Sequence, residues 1–335
     1  MLALICAIGA ALAAFVVGRN AQPIGRAAGL LDFPDDAGGR KLHAMVTPLV
    51  GGVGLTLVTL GAIGATLAFG DGGPTIEHDL KRLALAVGAM FLIGAADDRF
   101  ELSIRGRLAM ATLVLALVVG FVPDFEIAFF RFDRSAALVL LGTAGLPFTL
   151  LCLVGLLNAV NMADGKNGIV LGLALVWSVF LLAYLPATVR PVIAAVAAAV
   201  AVLFAFNMRG RLFLGDGGSY ALSALFGLLA IYAYNHAFGD IGGADIVLLF
   251  TLPVLDTLRL LVTRILQRRS PFAAGRDHLH HYIYAKVGWP IGLAVYLALA
   301  ALPVAGAALW PGSALSWLGI TIIAYLAVLV ATQRR

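Results

Sequence analysis

Charge is scarce in this sequence: Asp, Glu, Lys and Arg make up 12% of its 335 residues, whereas 61% are hydrophobic. Soluble domains run about 45–50% apolar and ~25% charged, so a water-soluble globular fold is excluded. Cysteine is nearly absent. Cys6 and Cys152 each lie in an apolar run, which argues against a disulfide framework or thiolate metal site and leaves two small core residues. Long polar linkers and internal repeats are missing too, so a single integral domain over 1–335 is the simplest organisation. The first run, MLALICAIGAALAAFVV, has no basic n-region and no small-residue cleavage site; it reads as a span, not a removed signal. The net charge of +5 reads as orientation by cytoplasmic Lys and Arg, and no nucleic-acid partner is expected.

What the sequence does have is apolar runs long enough to cross a ~30 Å hydrocarbon core as helices. The expected fold is therefore all-α and polytopic. About eleven transmembrane helices are predicted, near 1–18, 48–70, 80–96, 107–123, 137–160, 168–185, 190–206, 218–237, 245–266, 289–308 and 314–331. Eleven spans put the termini on opposite sides and sort the loops into two sets. One set holds most of the Lys and Arg, and the other only Lys81, Arg82, Arg131, Arg134 and Arg190. The positive-inside rule then places the N-terminus outside and the C-terminus in the cytoplasm.

The cytoplasmic loops also hold the polar residues that can do chemistry. Asp97 and Asp98 end an apolar run in GAADDR; two acids at a helix C-terminus are uphill against its dipole, a cost that a bound cation would offset. NAVNMADGKNG carries Asn158, Asn161, Asp164 and Asn167, with Asn158 and Asn161 on one helical face and Lys166 as counter-charge. Hard oxygen donors of this kind suit Mg²⁺ and polar substrate groups. FLGDGGSY sets Asp216 between glycines before another span, where backbone can approach a ligand closely. The same tetrapeptide recurs at Gly70–Gly73 on the outer side, so side and company must distinguish the two. RDHLHH supplies Arg276, Asp277, His278, His280 and His281, and RKLH adds Lys41 and His43. Zinc is the alternative for the histidines, but no thiolate lies near and H-E-x-x-H is absent; anion binding is favoured. Acids and amides for a hard cation, beside bases for phosphates, point to metal-dependent phosphoryl-type transfer.

In this order, RKLH…P…GG, DDRFELS, NAVNMADGKNG, FLGDGGS and RDHLHH, the motifs from about 32 to 282 resemble those of the polyprenyl-phosphate N-acetylhexosamine-1-phosphate transferases. That family includes the bacterial translocase that makes the first lipid-linked peptidoglycan precursor. The resemblance implies an inner-membrane enzyme in which a polyprenyl phosphate, undecaprenyl phosphate in bacteria, attacks the β-phosphorus of a UDP-N-acetylhexosamine. A lipid-linked diphosphosugar forms, UMP leaves, and a cell-envelope glycan is initiated. Mg²⁺ is the implied cofactor, with Mn²⁺ able to stand in. By motif, Asp216 is the implied metal ligand and Asn161 a second metal or diphosphate contact. Asp97 and Asp98 are the catalytic pair, one of them deprotonating or orienting the lipid phosphate. Asp164, Asn167 and Phe213 fall where the family holds uridine, and Arg276, His278, His280 and His281 where it binds diphosphate and selects the sugar. Asn158, Lys41 and His43 complete the expected substrate contacts. Two departures stand out: Asn167 occupies the second acid of the family's DGxDG, and HLHH replaces three consecutive histidines, as in the branch using UDP-GlcNAc. A homodimer would be in keeping with the peptidoglycan branch. The acceptor's second phosphate pKa is about 6, so it is mostly dianionic at pH 7 and needs no strong base; metal organisation and proton abstraction both stay open for the acid pair.

Two rivals differ in kind. A transporter would place ionisable groups near mid-membrane, where the chain has chiefly Asp256, at helical spacing from Arg259. A CDP-alcohol phosphotransferase would need a DG…AR…G…D…D span, which is absent.

Overall fold

A computed structural model describes residues 1–34, 45–270 and 275–333. The described residues form thirteen α-helices and two two-stranded antiparallel pairings. Nine of these helices among the described residues are long and apolar enough to cross a membrane, and the chain is a multi-pass membrane protein. Every one of the eleven predicted segments overlaps a helix. Besides the nine, the segments at 80–96 and 168–185 correspond to α4 (Pro74–Phe100) and α7 (Ile169–Tyr184).

The bundle is organised around α9 (Gly215–His236), which is buried from Gly217 to Tyr234. A helix that is apolar all round belongs inside, and small residues let its neighbours approach. α3 (Gly51–Phe69), α4, α6 (Gly145–Ala163), α7 and α10 (Gly243–Leu266) pack around it. α1 (Leu2–Arg19) lies against α8 (Arg190–Met208) and α3, while α12 (Ile291–Leu309) and α13 (Ala314–Gln333) close the side next to α10. Two glycines set the closest crossings. A Cβ on Gly94 would collide with the Asp216 carbonyl, and one on Gly52 with the backbone of Gly218.

α4 has 27 residues, about 40 Å at 1.5 Å per residue. It outreaches a hydrocarbon core and carries its last turn to the membrane edge. Glu101, in the left-handed conformation, ends it, and Ser103 caps α5 (Ile104–Phe121) by accepting the Gly106 N–H at 3.2 Å. The three-residue turn sends α5 back along α4.

Three local expectations change. The predicted span at 137–160 starts late, because Val139–Leu140 pairs antiparallel with Phe129–Phe130 and α6 begins only at Gly145. Short apolar runs fit strand and helix alike, and here hydrogen bonds decide: the turn after the strand accepts the N–H groups of Gly243 and Ala244 at the start of α10. The histidine motif is partly helical, in α11 (Leu279–Val287), and α2 (Ala21–Ala28) is a short helix that no span predicted.

Candidate active site

The C-terminal ends of α4, α6 and α8, the N-terminal ends of α3, α5 and α9, and α11 share one end of the bundle. They surround a cavity of about 990 Å³.

Asp98 answers the question raised by two acids at a helix end. Its Oδ1 accepts the Asp216 N–H at 3.0 Å and its Oδ2 the Gly217 N–H at 3.1 Å. The carboxylate that opposes the dipole of α4 thus caps the N-terminus of α9, where negative charge is favoured. Gly215, at φ +75°, makes this possible, since a Cβ there would come within 2.8 Å of Asp98 Oδ2. Asp97 turns the other way. It is buried, forms an ion pair with Arg107 from the first turn of α5, and does not line the cavity. Arg107 also stands 3.6 Å from Asp216 Oδ2, so one guanidinium bridges the two acidic motifs.

Asn161 Nδ2 donates to Asp216 Oδ1 at 2.7 Å and to Ser219 Oγ at 3.1 Å, which joins the asparagine motif to the FLGDGGS motif. Asn158 instead donates to the Val154 carbonyl of its own helix. Asp164 ends α6, and burial with Asp98 nearby pushes its carboxyl up to about 7. The carboxylate of Asp216 and the amide oxygen of Asn161 are hard oxygen donors of the kind Mg²⁺ takes. Those two would hold a divalent cation.

The loop after α6 is fixed from two sides. Asn207 Oδ1 accepts the Gly168 N–H at 2.6 Å while its Nδ2 donates to the Leu212 carbonyl at 3.0 Å. Lys166 Nζ lies 3.6 Å from the Tyr284 ring centroid and 5.5 Å from that of Trp289, whose Nε1 donates to the Asn167 carbonyl. Phe213 is held through its backbone: its N–H donates to the Pro48 carbonyl and its carbonyl accepts from Gly51, both at 2.9 Å.

The histidines do not act as one group. His278 and His281 line the cavity. His280 is fully buried behind them, stacked on His278 with centroids 5.3 Å apart, and neither ring nitrogen has a hydrogen-bond partner among the described residues. Burial and the neighbouring His278 and Lys166 hold His281 down at about 4, and burial keeps His280 well below the ordinary imidazole range. Both rings therefore favour the neutral form. The fixed positive charge on the wall comes from Arg107, Lys166, Arg264 and Arg276.

Of the predicted site residues, the cavity wall gathers Asp98, Asn158, Asn161, Asp164, Asn167, Phe213, Asp216, Arg276, His278 and His281. Asp97 and His280 stand behind it, and Lys41 and His43 lie outside the described residues. Sequence reasoning had sorted Arg107 and Arg264 by membrane side only, and had missed Asn207. A basic residue in the first turn of a helix, where the dipole disfavours it, was the available signal for Arg107.

Residues 81–234 match the family described as Glycosyl transferase family 4. The chain is 27% identical over 270 residues to a Bacillus subtilis protein named probable undecaprenyl-phosphate N-acetylglucosaminyl 1-phosphate transferase, covering 77% of this chain and 70% of the relative. Undecaprenyl-phosphate alpha-N-acetylglucosaminyl 1-phosphate transferases of Salmonella typhi and Thermotoga maritima are also 27% identical. They cover 83% and 77% of this chain and 75% and 74% of their own lengths.

Proposed function

We propose a reaction for this chain, a phosphosugar transferase enzyme whose residues 81–234 match glycosyl transferase family 4: transfer of N-acetylglucosamine 1-phosphate from UDP-N-acetylglucosamine to undecaprenyl phosphate. A phosphate oxygen of the lipid attacks the β-phosphorus, the bond from that phosphorus to the bridging oxygen breaks, and UMP leaves with the electron pair. The product is a lipid-linked diphosphosugar that starts a cell-envelope glycan.

One observation carries the proposal. Motifs spread from Asp98 to His281 meet in one cavity that joins hard oxygen donors to arginine and lysine. Asp216 and Asn161 would hold Mg²⁺, which when bound neutralises charge on the diphosphate. Arg107, tied to Asp97 and close to Asp216, would fix the metal-binding carboxylate and add positive charge beside the transferred phosphoryl. Asp98, with both oxygens engaged by the N-terminus of α9, is better suited to orienting that helix end than to abstracting a proton. The dianionic acceptor supplies its own nucleophile. Phe213 and Asn167 are assigned to the uridine, Arg276, His278 and His281 to the diphosphate-sugar. His280 supports the two neighbouring rings from behind.

We assign the cavity to the cytoplasmic face of the inner membrane, with the N-terminus outside and about eleven spans. The support is that Arg99, Arg107, Lys166, Arg209 and Arg276, predicted for that side, belong to the end of the bundle that holds the cavity. The transporter alternative looks to ionisable groups near mid-membrane, chiefly Asp256, and that carboxylate is neutralised in place by Arg259 at 2.9 Å. Purified protein given polyprenyl phosphate, Mg²⁺ and a panel of UDP-sugars tests the proposal. UDP-N-acetylglucosamine should release UMP fastest; no UMP from any of them rejects it.

A further inference from the structure

Asp256 lies in α10, 3% exposed, where an ionised carboxylate is costly unless its lone pairs are used. All of them are used. Oδ1 accepts from Arg259 Nη2 at 2.9 Å and from the Tyr325 hydroxyl at 2.8 Å, Oδ2 stands 2.8 Å from His278 Nδ1, and the Leu279 N–H lies 3.2 Å from both. Arg259 Nε also donates to the Tyr325 oxygen at 2.6 Å. Three elements thus converge on one acid: α10, the start of α11, and α13 through Tyr325.

Asp256, His278 and His280 also have ligand atoms within 4.8 Å of one another, the spacing of a shared metal ion. A dication there would face the guanidinium already seated on the same carboxylate and would displace the Tyr325 and Leu279 donors. The geometry is that of a satisfied anchor, not of a metal site. What it anchors is His278, whose Nδ1 is turned to Asp256 while the residue lines the cavity. Nε2 is therefore the ring nitrogen left for a ligand.

We propose that Asp256, braced by Arg259 and Tyr325, is a positioning residue that holds His278 with Nε2 presented to the phosphate-bearing part of the donor. The inference rests on the transferase reading above and extends the working machinery to α13, beyond both the family match at 81–234 and the last sequence motif. His280, wedged between His278 and the loop glycine Gly165, prevents the ring from tilting away.

The test is a double-mutant cycle in the full-length purified protein, read by single-turnover UMP release. Asp256→Asn keeps the shape and loses the charge; kcat should fall about 100-fold, as misplacement of a reacting contact by about 1 Å can cost, with KM for the UDP-sugar changed by less than about threefold. In a His278→Ala background the same change should cost less than about twofold, because its route of action is gone. Equal losses with and without His278, or wild-type kcat in Asp256→Asn, would overturn the proposal. If Asp256→Asn does not elute as folded protein in detergent, Tyr325→Phe carries the cycle; its expected loss is about tenfold, again absent without His278, and an unchanged kcat overturns the claim. If the wild type releases no UMP, the transferase reading fails separately. The Asp256–His278 pair is then read from the nitrogen-15 spectrum of histidine-labelled protein. One hydrogen-bonded Nδ1 resonance should vanish in Asp256→Ala; its persistence would refute the pairing.

Discussion

Arg107 carries two duties with one side chain. Removing it strands Asp97, which is 7% exposed, and breaking such a pair from one side costs about 3–5 kcal/mol. Arg107→Ala should therefore lower the thermal midpoint and reduce UMP release at least about 100-fold, since the same group faces Asp216. Arg107→Lys has one ammonium to satisfy two carboxylates and should fall between. Thermal unfolding and turnover on the same preparations check both. Asp164 gives a pH signature. Its folded carboxyl titrates near 7, above the unfolded value of 3.8, so between those values the native state holds more protons than the unfolded one. Its contribution to stability therefore falls as pH rises from about 4 to 7. Asp164→Asn should raise the midpoint of ligand-free protein at pH 8 and leave it nearly unchanged at pH 4; equal midpoints at pH 8 would contradict the assignment.

At the scale of elements, the site exists because helix ends can come very close. Gly94 brings α4 against the first turn of α9, and only there can Asp98 reach the N–H groups of Asp216 and Gly217. Gly94→Ala should cost about 1–3 kcal/mol through overpacking and at least about tenfold in turnover, by moving the cap off its helix. Gly88→Ala in the same helix, where a Cβ would meet nothing within 4 Å, is the control and should leave both near wild type. Helices of this kind were legible because hydrophobic run length alone announces them in lipid. The strand at Val139–Leu140 was not, because a short apolar run has no period long enough to separate strand from helix. Nor was α11 legible, since its nine residues begin inside a motif read for chemistry.

Across the whole molecule, apolar run length and the spread of lysine and arginine put the five motifs on one side, and the described parts of the motifs from Asp98 to His281 do meet in one cavity. Most of the candidate site followed from that sorting. It could not tell which residues face the cavity and which stand behind it. Asp97 and Asp98 are chemically identical neighbours, yet successive helix positions diverge by about 100°, so one points to Arg107 and the other to α9. His280 and His281 separate in the same way. The two GDGG copies allow a whole-molecule test. Asp216→Asn should abolish Mg²⁺-dependent UMP release with the fold intact, while Asp71→Asn, exposed in the other copy, should leave turnover unchanged. Strong loss at Asp71 would put the chemistry at the wrong end of the bundle.

The central claim is that a phosphosugar, not a bare sugar, crosses from nucleotide to lipid. UDP-N-acetylglucosamine labelled with phosphorus-32 at the β position, incubated with the purified chain, undecaprenyl phosphate and Mg²⁺, follows that atom. The label should enter the lipid fraction in equal amount to the UMP released; label left in the water phase as UDP would contradict the account.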